Sequence, residues 1–304
     1  MDRIVECVPN FSEGRNQETV RALAAAVRAV PGVFLLDQTM DSDHHRAVLT
    51  FAGKPDAVTE AAFRAVRTAK DLIDLRGHEG VHPRVGSTDV VPFVPIQGVT
   101  MEDCVALARG LGQRIGSELE IPVFLYRQAA IRSEQMNLEA IRKGGLAALT
   151  RRMRMEPGWG PDYGPVAPHP TAGATVVGAR GPLIAFNVNL MTNDLNIAKA
   201  IARKVRFSSG GLPAVKAIGV NLASRGLVQV SMDLTDFEQT SMQSAFDAVK
   251  QEAEARGVCV LESEVIGLVP QKAMLHTEQH RLQLTKYDGS QILETKLAEA
   301  IAHM

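Results

Sequence analysis

The sequence has few cysteines and few aromatic residues, and it contains no long apolar run. Its 304 residues include Cys7, Cys104 and Cys259, which are far apart and odd in number. This argues against a disulfide framework and fits a reducing compartment. No apolar run approaches the roughly 18 residues that a membrane helix needs, and the first residues have no apolar segment of signal-peptide length. We therefore expect a cytoplasmic protein.

The sequence also has no excess of charge of either sign. Lys and Arg number 33, Asp and Glu number 34, and the net charge is −1. There is no basic surplus to attract nucleic acid or an anionic membrane, and with 5% aromatic residues there are few rings on which bases could stack. A hydrophobic content of 45% suits one large or two ordinary domains with an ample core.

Strands and helices alternate along the chain in two similar rounds. The apolar patterns predict a strand at 4–8, a helix at 17–30 and further strands and helices up to residue 150, then a second round from 174 to a closing helix at 292–303. This alternation predicts an α/β (α+β) protein with two open sheets covered by helices. We place the domain boundary near 177–181, which gives domains 1–178 and 179–304.

A zinc-protease pattern, His78-Glu79-x-x-His82, lies in the polar segment 76–89. That chemistry requires a helix, because two histidines four residues apart must share one face to close on a metal. Gly80 interrupts the pattern, and Pro83 disfavours helical geometry at His82. The segment is therefore predicted to be a loop. A zinc hydrolase that uses His78 and His82 remains an alternative at this point.

As a loop, the segment presents a histidine, an arginine and an aspartate. A neutral imidazole at His82 can accept a proton near pH 7, with Asp89 tuning it, although a surface histidine in a turn would have the same spacing. Arg46 and Arg84 lie in two polar loops, and guanidinium groups suit carboxylates. The sequence therefore favours an acid–base enzyme with an anionic substrate, unless these are ordinary surface side chains.

Other polar side chains lie near the predicted strand ends. Asn10, Ser12 and Glu13 follow the first strand and predict either a site at the sheet edge or a helix cap. Asn187 and Asn189 share one strand face and indicate a ligand or a domain interface. The loop 39–46 offers aspartates and histidines for a divalent metal, but a solvated loop is favoured. The strand at 89–95 contains Pro92, which predicts an edge strand or a bulge.

Separate blocks of the sequence, in order, resemble the formiminotransferase family. They are VECVPNFSEG at 5–14, HPRVGSTDV at 82–90, PDYGP at 161–165, GATVVGAR at 173–180, LIAFNVNL at 183–190 and GLVP at 267–270. The resemblance therefore covers nearly the whole chain.

The resemblance implies transfer of a formimidoyl group from N-formimidoyl-L-glutamate to N5 of tetrahydrofolate, in histidine degradation. It also implies two ferredoxin-like subdomains with a ligand tunnel between them, a homodimer, and tetrahydrofolate as co-substrate without a metal. Small-molecule substrates are the expected partners, with neither nucleic acid nor membrane. Animal members add a cyclodeaminase domain, which we do not expect here.

The resemblance assigns roles to individual residues. His82 is the expected catalytic general base and acid. The expected substrate-binding residues are Asn10, Ser12, Glu13, Arg46, Arg84 and Asp89. The expected folate-binding residues are Tyr163, Gly164, Pro165, Val166, Ala167, Pro168, His169, Pro170, Thr171, Ala172, Gly178, Arg180 and Asn187. The chain departs from the family at His45, where asparagine is common, and near Thr39, where Asp41 replaces an expected acidic residue.

Alternatives remain open within this resemblance. The donor could instead be formimidoylglycine or N-formylglutamate, or the reaction could be cyclisation of 5-formyltetrahydrofolate. A folate-binding protein without turnover would also fit the motifs.

Overall fold

The computed structural model describes residues 3–275, 280–285, 287 and 289–302. The chain divides into two compact units, Met1–Arg180 and Gly181–Met304, beside the boundary expected from the alternation. Each unit has its own sheet and its own apolar core. Among the described residues no helix is both long enough and apolar enough to cross a membrane.

The first unit is built on a sheet of ferredoxin-like topology. Its elements are β1 (Ile4–Cys7), β2 (Asn10–Phe11), α1 (Gln17–Arg28), β3 (Val33–Asp41), β4 (Arg46–Gly53), α2 (Pro55–Leu72), β5 (Thr88–Gln97), α3 (Met101–Glu118), β6 (Val123–Arg127), α4 (Leu138–Arg142), α5 (Gly145–Met155) and β7 (Thr175–Ala179). With β1 and β2 taken as one interrupted strand, the order β3–β4–β1/β2–β5 is antiparallel throughout and forms a βαββαβ unit. β7 and β6 extend this sheet in parallel beyond β5, and α3 forms part of the crossover that parallel pairing requires.

The second unit repeats this topology without the extension. Its elements are β8 (Ile184–Leu190), α6 (Leu195–Val205), β9 (Val215–Leu222), β10 (Leu227–Leu234), α7 (Met242–Glu254), β11 (Val260–Ile266), α8 (Gln271–Met274) and α9 (Leu293–Ala302). The strand order β11–β8–β10–β9 is antiparallel throughout. The predicted class, two ferredoxin-like α/β units with helix-covered sheets, is therefore confirmed. The predicted end of the last helix at His303 lies outside the described residues.

Local sequence signals explain where the helices begin. Asn16 caps α1 by accepting the backbone N–H groups of Glu18 and Thr19. Thr100 and Asp103 form a reciprocal capping box at the start of α3. Buried residues recur at helical spacing along α1, so each helix presents one apolar stripe to the core.

Two of the predicted elements differ from the structure. The helix predicted over 138–150 is broken, because Gly144 adopts a left-handed conformation with φ +76° between α4 and α5. This break leaves Arg142 at the end of a short helix. Pro92 was predicted to mark an edge strand or a bulge; the edge is wrong, since β5 lies inside the sheet between β1/β2 and β7, whereas the pairing of β5 with β1 and with β2 does shift register, as at a bulge.

The position of Pro92 has a local explanation. It lies opposite the interruption between β1 and β2, where Val8 donates its N–H to the Pro92 carbonyl at 3.3 Å. Proline has no N–H to return to Val8. The carbonyl of Val8 instead accepts Nδ2 of Asn10 at 2.8 Å. A side chain thus replaces the missing strand hydrogen bond, which fixes the orientation of the Asn10 amide.

Candidate active site in the first unit

The segment with the zinc-protease pattern is a loop, as the glycines and proline predicted. After a 3-10 turn at Leu75–Gly77 it runs without regular structure to β5. Among the described residues, no group of three or more His, Cys, Asp or Glu side chains is arranged to hold a metal ion. The helical geometry that the zinc hydrolase alternative requires is therefore not formed.

The loop is fastened by Arg84. Its Nη1 donates to the carbonyls of Gly80 at 3.2 Å and His82 at 3.0 Å, and its Nη2 donates to the carbonyl of His78 at 3.0 Å. A planar guanidinium that holds three carbonyls at once stiffens the turn that carries His82. The structure thus gives Arg84 a loop-holding role, and its predicted substrate contact remains a prediction.

His82 lies against the guanidinium of Arg46. Its Nδ1 donates to the Pro83 carbonyl at 2.8 Å, because a carbonyl oxygen can only accept. Its Nε2 then carries the lone pair and lies 2.8 Å from Nη1 of Arg46, which is also 2.5 Å from Nδ1. Nε2 is therefore the atom of His82 that can accept a proton from a substrate.

The surroundings keep the imidazole of His82 neutral. Burial lowers the pKa of His82 well below its usual range, and the positive charges of Arg46 and Arg142 and the neighbouring His44 lower it further. The rings of His44 and His82 are 6.2 Å apart. The imidazole of His82 is therefore unprotonated at pH 7, and the same shift makes it a weaker base whose conjugate acid gives its proton up readily.

One buried carboxylate lies between the arginines. The side chain of Asp89 is only 3% exposed, and its Oδ1 accepts the N–H of Val85 at 2.9 Å. Its Oδ2 accepts Nη2 of Arg142 in a short hydrogen bond and lies 3.8 Å from Nη1 of Arg46. Two guanidinium groups therefore share a single aspartate, which leaves a local surplus of positive charge.

Asn10 anchors the other side of Arg46. Its Oδ1 accepts Nε of Arg46 at 2.8 Å and also contacts Nη2. Since Nδ2 of Asn10 is held by the Val8 carbonyl, the amide oxygen can only face the arginine. The interrupted β1/β2 strand thus orients Arg46 toward His82. Asn10 lies in the predicted site, although it contacts an arginine of this chain in the described structure.

Ser12 and Glu13 hold neighbouring loops together. Ser12 Oγ donates to the carbonyl of Gly86 at 2.7 Å. Glu13 Oε1 accepts the N–H groups of Arg15 and Asn16 at 2.8 and 2.9 Å. Burial acts to raise the pKa of Glu13, but these N–H groups and His45 lower it overall. Glu13 therefore closes the turn that leads into α1, while the helix cap itself is Asn16. The predicted substrate contact of Glu13 remains a prediction.

A second pair of histidines supports the loop. The rings of His45 and His78 stack with centroids 3.9 Å apart, and Nε2 of His78 donates to the carbonyl of His45 at 3.0 Å. Burial, then Arg84 and His45, lower the pKa of His78 to about 4. Nδ1 of His78 is buried and has no hydrogen-bond partner in the part of the chain that the structure describes. His78 is therefore neutral and structural.

A small cleft joins these groups. It has a volume of about 10 Å³, roughly enough for one water molecule, and is lined by Phe11, Ser12, His44, His45, Arg46, His82, Arg84 and Asp89. Ligand sites usually measure about 300–1,000 Å³. The side chains of the cleft therefore fill it almost completely in the described structure, so most of a ligand must be bound outside it.

Family models match both units of the chain. A model of the formiminotransferase domain, N-terminal subdomain, matches residues 4–180, and a model of the formiminotransferase domain matches residues 185–304. The chain belongs to the formiminotransferase family.

Members of this family resemble the chain over most of its length. It is 47% identical over 298 residues to a glutamate formimidoyltransferase of Streptococcus pyogenes serotype M1, covering 98% of this chain and 99% of that protein. It is 44% identical over 298 residues to a glutamate formimidoyltransferase of Thermoplasma acidophilum, covering 98% of each. A formimidoyltransferase-cyclodeaminase of Mus musculus is 42% identical, and there the match covers 93% of this chain and 56% of that protein.

The segment that the formiminotransferase resemblance predicts to bind folate has a fixed part and an exposed part. Tyr163 packs against α3, where Gly112 and Gly116 make room for it, and its carbonyl accepts the N–H of Val123 at 2.9 Å. His169 and Gly173 exchange backbone hydrogen bonds at 2.8 and 3.0 Å and close a tight turn. The residues between these anchors are largely exposed: Gly164, Pro165, Val166 and Ala167. These exposed residues are the ones that a ligand could reach.

The remaining predicted folate residues are spread over both units. Gly178 is buried, and a Cβ there would lie 2.3 Å from the ring of Tyr126, so it serves close packing. Arg180 ends the first unit and donates its N–H to Phe93 at 3.1 Å. In the second unit, Asn187 is buried and donates Nδ2 to Glu264 at 3.2 Å. Folate contacts at these positions, as at 163–172, remain predictions.

No pattern in the sequence indicated Arg142. It belongs to no motif, and it lies 53 residues from Asp89 in the chain. Arg142 reaches the site because α4 ends beside the parallel extension of the sheet. Patterns along the sequence do not predict this packing. The side chain of Arg142 is 11% exposed. A buried arginine of this kind must have a partner, and that expectation is the one sequence-level clue that could have marked it.

Proposed function

We propose that this chain is a glutamate formimidoyltransferase that moves the formimidoyl group of N-formimidoyl-L-glutamate to N5 of tetrahydrofolate. The proposal draws on relatives of that printed name at 47% and 44% identity over nearly full length. Its setting is histidine breakdown in the cytoplasm, and the protein is a homodimer. Tetrahydrofolate is a co-substrate, and no metal takes part.

The observation that carries the proposal is the neutral imidazole of His82 in a narrow, cationic cleft. N5 of the folate attacks the formimidoyl carbon, and a new C–N bond forms. Nε2 of His82 removes the proton from N5 and then returns it to the glutamate nitrogen. The old C–N bond breaks, and glutamate leaves as a free amine. The step needs no redox change, and an amidinium carbon is already electrophilic.

The arginines account for binding of an acidic donor. Arg46 and Arg142 share Asp89, so the cleft keeps a surplus of positive charge. N-Formimidoylglutamate carries carboxylates that would neutralise this surplus. A carboxylate near Arg46 would also draw its guanidinium away from Nε2 of His82. Binding of the donor thus frees the nitrogen that accepts the proton and raises the low pKa of His82 toward the working pH.

The folate is proposed to contact the exposed residues 164–167 and the turn at 168–172. The family resemblance also implies folate contacts at Gly178, Arg180 and Asn187. The exposure of residues 164–167 supports this division, because the cleft beside His82 is too small to hold most of the folate.

Product formation tests the proposal. Purified protein is mixed with tetrahydrofolate and N-formimidoyl-L-glutamate, and 5-formimidoyltetrahydrofolate and glutamate are quantified together. We expect equal amounts of both products. Parallel reactions contain formimidoylglycine or N-formylglutamate as the donor, or 5-formyltetrahydrofolate alone. Faster turnover with any of these, or no turnover by protein that binds folate, would contradict the proposed reaction.

A further inference from the structure

Arg142 lies at the end of α4, with its guanidinium directed to the buried Asp89. Nη2 of Arg142 makes a short hydrogen bond to Oδ2 of Asp89. Nε of Arg142 is buried and has no hydrogen-bond partner among the described groups. Nε of Arg142 thus stays unsatisfied while Nη2 reaches one carboxylate oxygen. This indicates that the contact with Asp89 determines the position of the side chain.

The contact controls a competition for Asp89. Oδ2 of Asp89 is close to Arg142 but 3.8 Å from Nη1 of Arg46. Because Arg142 binds this oxygen of the carboxylate, the guanidinium of Arg46 contacts Asn10 on one side and His82 on the other. Among the described residues, Arg46 would be the remaining cationic partner of this oxygen if Arg142 were removed. Asp89 and Arg46 would then move closer together.

We propose that Arg142 is a positioning residue of the transferase reaction, which holds Asp89 so that Arg46 stays against His82. The inference rests on the proposed function, although Arg142 touches no substrate in it. Around the imidazole, Arg46 comes from β4, His44 from the β3–β4 turn and Arg142 from α4, with Asp89 of β5 behind the two arginines. Arg142 is the member of this set that acts through another residue.

Arg152 provides a matched control in the same part of the fold. Its Nη1 donates to the carbonyl of Ala140 at 2.6 Å, and its Nη2 donates to the carbonyl of Ile141 at 2.8 Å. It stacks over Trp159 at 3.9 Å. Arg152 therefore binds carbonyl groups at the end of α4 rather than the carboxylate of Asp89. Its replacement removes an arginine that contacts the same helix end and leaves the charge at the carboxylate in place.

The test compares Arg142→Gln, Arg142→Lys and Arg152→Gln. The pKa of His82 is measured in ligand-free protein by NMR of labelled histidine, with the signal assigned by its loss in His82→Gln. We expect Arg142→Gln to raise this pKa by about 0.5–1 unit, because a cation is lost and Asp89 approaches Arg46. Arg142→Lys keeps the positive charge but holds Asp89 less well, so its rise should be smaller, and Arg152→Gln should stay near wild type. An unchanged value in folded Arg142→Gln, or an equal rise in Arg152→Gln, would overturn the proposal.

Turnover gives a second and independent result. Arg142→Lys keeps the charge but not the planar fork, so its kcat should fall about 10- to 100-fold with little change in KM, as a misplaced catalytic group predicts. Wild-type kcat in Arg142→Lys would overturn the proposal even if Arg142→Gln fails to fold. If the wild-type protein shows no formimidoyl transfer, the proposed function fails, and the NMR titration still decides the role of Arg142.

Discussion

The two units share one topology and differ in their connections. In the first unit the chain between α2 and β5 covers residues 73–87, whereas the equivalent connection between α7 and β11 covers residues 255–259. The β3–β4 turn of the first unit carries His44 and His45, while a short 3-10 turn, Ala223–Arg225, joins β9 to β10. The two β–β turns are equally short, so the long α2–β5 connection is the main difference, and it carries His78, His82 and Arg84. Arg46, Asp89 and Arg142 lie on strands and on a helix end, so the first unit combines a specialised loop with side chains that its regular elements position.

The buried polar groups of the two sheets also differ. In the second unit Gln229 is fully buried and donates Nε2 to Asn189 at 2.9 Å and to Glu264 at 3.0 Å. Asn189 donates in turn to Glu262 at 2.9 Å. This is a network of amides and carboxylates, whereas the first unit buries arginines around one aspartate. The arginines of the first unit surround a proton acceptor with positive charge, whereas the amide network of the second unit holds strands in register.

The largest difference in stability should follow removal of the shared carboxylate. Asp89→Asn leaves Arg46 and Arg142 without their anion, and loss of one partner of a buried ion pair costs about 3–5 kcal/mol. Glu262→Gln removes the partner of Arg225, which is 40% exposed, so about 1 kcal/mol or less is expected. Urea denaturation of both variants measures the two costs. Equal losses would remove the electrostatic distinction between the units.

Replacement of equivalent buried amides should separate activity from stability. Asn10→Leu removes the anchor of Arg46 and should lower kcat about 10- to 100-fold through misplacement near His82. Asn189→Leu breaks the network of the second unit and should cost about 1–3 kcal/mol of unfolding free energy with kcat unchanged. Steady-state kinetics and denaturation on each variant test this pair. A kcat loss in Asn189→Leu as large as that in Asn10→Leu would contradict it.

Acid should destabilise the protein through the histidines of the first unit. The pKa of His78 is lowered to about 4 in the folded protein, while the unfolded chain binds the proton near pH 6.5. Below pH 6.5 the unfolded state therefore takes up more protons, and the free energy of unfolding falls until about pH 4. His78→Gln should flatten this dependence. The same slope in wild type and His78→Gln would refute the assignment.

The smallest effect concerns two glycines in left-handed conformations. Gly144→Ala (φ +76°) and Gly226→Ala (φ +64°) should each cost about 1 kcal/mol of stability. A Cβ at Gly144 would also lie 2.6 Å from the Cβ of Ala148, whereas Gly226 has open space. Only Gly144→Ala should disturb the end of α4 and lower kcat, by about twofold to tenfold. Thermal unfolding and steady-state kinetics compare the two variants. A kcat loss in Gly226→Ala would contradict the assignment of catalysis to the first unit alone.

Periodic patterns allowed most of the fold to be predicted. The strands 215–222 and 227–234 have the predicted bounds, because most of their residues alternate between buried and more exposed positions, which indicates a half-buried strand. The break at Gly144 was missed, although two consecutive glycines, Gly144 and Gly145, are a signal for a turn or loop. For Pro92 the edge and the bulge could not be separated, because the compensating Asn10 amide depends on how distant segments meet.

Only those parts of the site that depend on neighbouring residues in the sequence could be predicted. The glycines around His78 and the proline after His82 excluded a helix, and the loop follows from them. The meeting of His82 with Arg46, and of Asp89 with Arg142, joins residues 36 and 53 positions apart. Such contacts are set by strand order and by the helix break, and no spacing rule along the chain encodes them.

The central claim is that the neutral imidazole of His82 shuttles the proton during formimidoyl transfer. The most direct measurement is single-turnover formation of 5-formimidoyltetrahydrofolate by His82→Ala, at saturating tetrahydrofolate and donor, with tetrahydrofolate binding measured on the same preparation. We expect folate affinity to stay within about threefold and the rate to fall at least about 100-fold, the usual contribution of a general base. Wild-type rate in His82→Ala with intact folate binding would contradict the claim.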